Sequence, residues 1–194
     1  MILDPGEVTL LVTEALDALG IPYFVAGSFA SIVHGVVRTT MDADIVADIR
    51  PGQATPLADR LEADFFVDLH ALHSAVAGRH HPNFIHRDSM FKVDIYPLPA
   101  DDFHASELAR RLRAPFSEDG SRGAYIASAE DTILSKLDWY RRGDEVSERQ
   151  WRDVLGIFKV QADRLDLAYM RLWGEVLGVT DLVERALFAA AIDS

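Results

Sequence analysis

Three aspartates in the first half of the chain have the residue type and spacing that divalent-metal chemistry requires. Asp42 and Asp44 are two residues apart at the start of an apolar run, so in a strand their carboxylates point to one side and can share cations. Asp94 lies in the middle of an alternating strand pattern, where a carboxylate is disfavoured unless its charge is compensated. A metal shared by all three would compensate it. We therefore predict Asp42, Asp44 and Asp94 as metal ligands and catalytic carboxylates.

A glycine-serine pair supplies a second element of the same chemistry. Gly27 and Ser28 follow the apolar run Tyr23–Ala26 and precede a predicted helix from Phe29 to His34. Backbone N–H groups, a hydroxyl and a helix N-terminus at that point can hold phosphate oxygens. Taken singly, the pair is also typical of a turn at Gly27 and a helix cap at Ser28. An Asp-x-Asp sequence is likewise found at strand edges that are exposed to solvent. Combined with three carboxylates, it indicates a two-metal phosphoryl-transfer site.

The hydrophobic pattern places these residues on an α+β core. It predicts a first helix over residues 4–19, capped by Asp4. Buried strands are predicted over 23–26 and 43–49, helices from about 55 and over 68–76, and a hairpin of strands 83–87 and 90–96. From Ser128 onwards the pattern is helical only. We therefore predict a core domain over 1–127 and a C-terminal helical region over 128–194.

Composition limits the class of protein. The 194 residues, 49% of them hydrophobic, are enough for one packed domain with a helical appendage. Without cysteine there is no disulfide and no thiolate metal site. A net charge of -12 argues against extended binding to nucleic acid backbones, and no apolar stretch is long enough for a membrane span. The start has no secretion-signal pattern, so a cytoplasmic location is expected.

The combined pattern resembles a known superfamily. Gly27-Ser28, then 13 residues, then Asp42-Ala43-Asp44, and later Val93-Asp94-Ile95 looks like the signature of the polymerase-beta-like nucleotidyltransferases. The stretch that includes Arg38-x-Thr40 is similar to the small bacterial members, both minimal ones and AbiEii-type toxins. The resemblance covers roughly residues 20 to 160. It implies a mixed nucleotidyltransferase-fold sheet flanked by helices, followed by a C-terminal helical bundle.

The resemblance also implies roles. Gly27 and Ser28 would hold the β- and γ-phosphates of a nucleoside triphosphate (NTP). The three aspartates would bind Mg²⁺ or Mn²⁺, and Asp94 would complete the catalytic metal site. Arg38 and Lys136 would contact the nucleotide. The later Arg152-Asp153 pair also resembles AbiEii-type proteins, but Gly156 stands where that pattern often has a second aspartate, which argues against a toxin-like activity.

The activity implied is transfer of a nucleoside monophosphate (NMP) from an NTP to a hydroxyl, with release of pyrophosphate. The acceptor stays open among a small molecule, an RNA 3' end and a protein side chain. The alternative is a binding or regulatory module of the same fold, such as a toxin-antitoxin component with a protein partner and little turnover. A two-metal nuclease is a more distant reading, because it has no need of Gly27-Ser28.

Overall fold

The strands and helices of the chain are defined in a computed structural model that describes residues 3–76, 81–117 and 119–192. The strands are β1 Tyr23–Ala26, β2 Asp42–Ala47, β3 Phe65–Val67, β4 Asn83–His86, β5 Lys92–Pro97, β6 Leu112–Pro115 and β7 Gly123–Ile126. The helices are α1 Pro5–Ala18, α2 Gly27–Val33, α3 Ala54–Leu61, α4 Leu69–Val76, α5 Asp102–Arg110, α6 Ala129–Arg142, α7 Glu148–Gln161, α8 Leu167–Leu177 and α9 Thr180–Ile192. Two short 3-10 turns, Pro51–Gln53 and Ala162–Arg164, complete the described elements.

The strands of the described residues form one mixed sheet of seven, in the order β3-β4-β5-β2-β1-β7-β6. β2 is parallel to β5 and β1 is parallel to β7, and the remaining pairs are antiparallel. This confirms the predicted α+β class, with a mixed sheet and helices after it. The sequence pattern did not predict β3, β6, β7 or α5. These strands have three or four residues each, too few to show a period of two.

Alternation along the two central strands separates a core face from a second, less buried face. In β2 the residues Ala43 and Ile45 are fully buried, and in β5 so are Val93 and Ile95. They belong to the same apolar cluster as the inner stripe of α1. Full burial of one such aliphatic side chain contributes about 1.5–3 kcal/mol, so this pattern fixes the strand register strongly. The polar residues of β2 and β5 must then share the opposite face.

The chain divides into two compact units. One contains the described residues up to Phe29 and Thr39–Ile126, and the other contains Ala30–Arg38 and the chain from Ala127 onwards. The first unit holds the whole sheet with α1, α3, α4 and α5, and the second holds α6 to α9. The domain boundary between residues 127 and 128 stays a prediction. The segment 30–38, which groups with the helices, was not assigned to them from the sequence.

Close packing explains why the segment 30–38 belongs to the helical unit. The Nε2 atom of His34 is 2.8 Å from the Ala127 carbonyl oxygen, and Gln161 donates a hydrogen bond to the His34 carbonyl. A Cβ on Gly35 would lie 2.5 Å from Val160, so only glycine fits there. Through the described ranges, no helix is long and apolar enough to cross a membrane.

Candidate active site

The three predicted aspartates lie on the two central parallel strands of the sheet. Asp42 and Asp44 are on β2 and Asp94 is on β5. Asp44 is the Cα partner of Asp94, and Asp42 is the partner of Lys92. Side chains at paired positions of neighbouring strands point to the same face of a sheet. All three carboxylates therefore project from the face opposite the apolar core, as the alternation predicts.

Gly27 lies directly against the Asp44 carboxylate. A Cβ on Gly27 would be 1.9 Å from Asp44 Oδ2, and Gly27 has a φ of +56°, which L-residues rarely adopt. Two independent constraints thus require glycine at the end of β1. They bring the backbone of Gly27 and Ser28 to the edge of the carboxylate face, and Ser28 is buried.

Lys92 places a basic group on this face. Its Nζ lies 2.6 Å from Asp94 Oδ2. Asp94 itself is only 9% exposed, and this ion pair offsets part of the cost of burying its charge. The hydrogen bond to Asp94 raises the pKa of Lys92, against a lowering by burial, and the charges of Asp94, Asp42 and Asp44 raise it further. In this structure the charge of Asp94 is therefore compensated by an ammonium group.

Two neutral groups orient the other aspartates. The Thr40 hydroxyl donates to the Asp42 carbonyl and to Asp42 Oδ1, at 3.0 and 3.1 Å. Tyr96 lies two residues after Asp94 on the same face of β5 and hydrogen-bonds to Asp44. Burial raises the pKa of Tyr96 to about 12, and the nearby carboxylates of Asp44, Asp94 and Asp42 add to the effect. Tyr96 therefore stays neutral and acts as a donor at physiological pH.

The donor chemistry of this face fits Mg²⁺ or Mn²⁺, which prefer carboxylate oxygens. The absence of a Cβ at Gly27 leaves the space that the Asp44 carboxylate uses. However, among residues 3–76, 81–117 and 119–192 no three His, Cys, Asp or Glu side chains are grouped closely enough to hold a metal ion. The three aspartates are thus suitable ligands by type and by strand position, but their carboxylates are not preassembled.

Comparison with solved structures places this arrangement among known folds. An antigenic nucleotidyltransferase-like protein from Paracoccidioides brasiliensis aligns with a TM-score of 0.56 and 16% identity, over 95% of this chain and 92% of its own. ANT(2")-Ia in complex with adenylyl-2"-tobramycin aligns with a TM-score of 0.54 and 15% identity, over 89% of this chain and 95% of its own. The lincosamide antibiotic adenylyltransferase LnuA, lincomycin-bound, aligns with a TM-score of 0.50 and 14% identity, over 82% of this chain and 98% of its own.

The chain has the nucleotidyltransferase fold. This confirms the fold expected from the resemblance. At 14–16% identity these neighbours establish the architecture alone. No protein-family model and no curated protein matches the sequence.

In this nucleotidyltransferase fold, the two other predicted nucleotide contacts, Arg38 and Lys136, lie in the helical unit and share one aspartate. Lys136 Nζ is 2.9 Å from Asp153 Oδ2 and 3.1 Å from Gln150 Oε1. Arg38 Nη2 is 3.1 Å from the same Asp153 oxygen. Burial lowers the pKa of Lys136, although Asp153 raises it in part. Lys136 is thus a buried member of an ion cluster. It is not an ordinary lysine on a solvated helix face, because only 6% of it is exposed.

Gly156 has a packing role in the helical unit. A Cβ there would lie 3.1 Å from Val36 Cγ2. A second aspartate at this position, as in the AbiEii-type pattern, would press against Val36. Arg152 does not pair with Asp153. It lies 3.7 Å from Glu148 at an exposed position instead.

The sequence reasoning missed Lys92 and Tyr96. Both lie two residues from Asp94 on β5, and the period of two that singled out Asp94 also places them on its face. That signal was available. The sequence pattern leads to a metal as the compensating charge for Asp94, whereas in the structure Lys92 supplies that charge.

Proposed function

We propose that the protein is a metal-dependent nucleotidyltransferase that moves an NMP group from an NTP to a hydroxyl of an acceptor and releases pyrophosphate. The observation that carries the proposal is the placement of Asp42 and Asp44 on β2 beside Asp94 on β5, with the Gly27 backbone against Asp44. In a nucleotidyltransferase fold, this combination suits a bound triphosphate.

The reaction assigns a role to each of these residues. Asp42, Asp44 and Asp94 would hold Mg²⁺ or Mn²⁺, which when bound supplies the positive charge that offsets the triphosphate. The backbone of Gly27 and the Ser28 hydroxyl would bind phosphate oxygens. The acceptor oxygen forms a bond to the α-phosphorus as the bond from that phosphorus to the bridging oxygen of the β-phosphate breaks. Asp94 would take the proton of the acceptor hydroxyl, and pyrophosphate leaves.

The acceptor class we propose is a small hydroxyl-bearing molecule. Two structural neighbours are described with tobramycin and lincomycin, which supports this class by analogy of fold. The net charge of -12 disfavours a nucleic acid acceptor and favours a neutral or cationic one. Contacts of Arg38 and Lys136 with the nucleotide, and a cytoplasmic location, stay predictions from the sequence.

Label transfer tests the proposal. The protein is incubated with Mg²⁺ and each NTP labelled on the α-phosphate, with tobramycin, lincomycin and further aminoglycosides or lincosamides as acceptors. We expect a labelled acceptor and an equal amount of pyrophosphate, both lost in Asp94→Asn. Asp59→Asn, at an exposed position on α3, removes the same charge and should leave transfer unchanged.

A second candidate function is a nucleotide-binding module with little turnover. Two observations favour it. Asp94, the proposed base, is paired with Lys92 at 2.6 Å, and the carboxylates of the described residues are not grouped as a metal site. The two functions differ in the same assay. If NTP binds in the presence of Mg²⁺ but neither label nor pyrophosphate exceeds the Asp94→Asn level with any acceptor, the binding module is correct.

A further inference from the structure

Lys92 and a divalent cation would compete for the carboxylate of Asp94. The ammonium is 2.6 Å from Asp94 Oδ2. Mg²⁺ binds carboxylate oxygens at about 2.0–2.1 Å. An ammonium group and Mg²⁺ on the same oxygen would therefore be close enough to repel each other strongly. Pairing with Lys92 and binding of a metal therefore compete at Asp94 Oδ2.

The positions of the three aspartates extend this competition to the whole face. Lys92 is the register partner of Asp42 and the neighbour, two residues away, of Asp94. It is thus placed beside one carboxylate on each strand. Its positive charge offsets the mutual repulsion that three carboxylates on one face would otherwise cause. A metal would offset the same repulsion.

The exposures of the two side chains show which partner can leave. The Lys92 side chain is 40% exposed, whereas the Asp94 side chain is 13% exposed. A lysine with this access can move its ammonium into water at small cost. Asp94 has no such freedom, because a buried carboxylate needs a compensating charge. An exchange of ammonium for metal keeps Asp94 compensated throughout.

We propose that Lys92 is a built-in counter-ion of the metal site, which occupies Asp94 in the metal-free protein and must leave it before a divalent cation can be shared by the three aspartates. Lys92 is thereby a residue that sets the metal affinity of the site. The inference rests on the proposed function, because it takes Asp42, Asp44 and Asp94 as the metal ligands.

The test is Mn²⁺ binding without nucleotide, measured by electron paramagnetic resonance of free Mn²⁺. Lys92→Met removes the competing charge and should bind Mn²⁺ roughly tenfold more tightly than the wild type, the size of one accessible charge-assisted hydrogen bond. Lys92→Arg keeps the charge and should bind no more tightly than the wild type. Lys159→Met, at an exposed position on α7, is the control for net charge and should leave the affinity unchanged.

Thermal unfolding supplies a second readout. Without metal, Lys92→Met should melt below the wild type, and added Mn²⁺ should raise its melting temperature by more than that of the wild type. If Lys92→Met does not fold, Lys92→Gln keeps a donor for Asp94 and should still bind Mn²⁺ more tightly than the wild type.

The possible failures are distinguishable. Equal or weaker Mn²⁺ binding by the neutral variants, with measurable binding by the wild type, would overturn the role of Lys92 and leave the metal site intact. If neither the wild type nor the variants bind Mn²⁺, with or without ATP, the metal site itself is wrong, and the proposed function is overturned with the inference.

Discussion

Removal of Asp153 should destabilise the helical unit more than removal of either of its cationic partners. Asp153 accepts from Lys136 at 2.9 Å and from Arg38 at 3.1 Å, and the side chains of Asp153 and Lys136 are 4% and 7% exposed. Asp153→Ala leaves a buried ammonium without its counter-ion, which costs about 3–5 kcal/mol of unfolding free energy. Lys136→Met leaves Asp153 paired with Arg38, so we expect a smaller loss of about 1–3 kcal/mol.

The double variant Lys136→Met/Asp153→Leu separates the pair from its parts. It removes both buried charges and fills their space with apolar groups, and the Arg38 side chain, 20% exposed, can turn towards solvent. We expect it to be more stable than Asp153→Ala by about 2 kcal/mol or more, because an apolar replacement of a buried pair is often nearly neutral.

Urea unfolding followed by tryptophan fluorescence is the appropriate assay. All three tryptophans, Trp139, Trp151 and Trp173, lie on helices of the helical unit, so the signal reports that unit. If Asp153→Ala and Lys136→Met each cost less than about 1 kcal/mol, a value typical of exposed pairs, the ion cluster is not buried as described and the reasoning is refuted.

The same cluster predicts a pH dependence. Burial lowers the pKa of Lys136 below its ordinary 10.5, so in the window between the folded pKa and 10.5 the unfolded chain binds more protons than the folded one. Stability contributed by this group therefore rises with pH through that window. The wild type should gain stability relative to Lys136→Met as the pH approaches 10.5. An unchanged difference would show that Lys136 titrates normally in the folded protein.

Three further substitutions test the glycine and carboxylate positions. Gly27→Ala places a Cβ 1.9 Å from Asp44 Oδ2 and should destabilise the protein by several kcal/mol. The control Gly20→Ala has a similar φ of +61° but no close contact for its Cβ, so it should cost only about 1–2 kcal/mol. Equal losses of stability in thermal melts would contradict the close approach of Gly27 to Asp44. Asp44→Asn should leave the metal-free melting temperature within a few degrees of the wild type while Mg²⁺-dependent ATP binding is lost in calorimetry, and a collapse of the fold would make Asp44 structural instead. Gly156→Asp should press on Val36, 3.1 Å from the new Cβ, and lower stability by about 1–3 kcal/mol, and an unchanged melting temperature would show that the helical unit tolerates the side chain.

The fold was predictable where residues carry strong periodic or capping signals. Asp4 accepts from the backbone N–H groups of Gly6 and Glu7 at the start of α1, as the sequence pattern predicts. Ser128, where the helical pattern begins, accepts from the backbone N–H group of Asp131 at the start of α6. The turn from β4 to β5 also lies at the predicted residues. These features depend on neighbours within a few positions, so local sequence is sufficient.

Features that depend on long-range pairing were not predictable. β6 contains Arg113 and Pro115 and is mostly exposed, so its strand character comes only from its pairing with β7. Likewise, nothing in the local sequence indicates that Lys136 and Arg38 both contact Asp153. Lys136 is 17 residues from Asp153 along the chain, and Arg38 is 115 residues from it. For the candidate site, the sequence predicted the polar face of the sheet and its three carboxylates, but not the ion pair of Asp94. The alternation of a strand shows which face a side chain lies on, but it does not show which side chains form ion pairs.

The central claim is that Asp42, Asp44 and Asp94 form a metal-dependent triphosphate site. The measurement that tests it most directly is a thermal-shift titration with each NTP, with and without Mg²⁺, on the wild type, Asp42→Asn and the control Asp59→Asn. At a ligand concentration of about 100 times Kd, binding adds about 2.7 kcal/mol, which corresponds to roughly 5–10 °C for a chain of this size. The account predicts such a shift for at least one NTP with Mg²⁺ only, retained in Asp59→Asn and lost in Asp42→Asn. A shift that is independent of Mg²⁺ or of Asp42, or no shift at millimolar NTP, would contradict it.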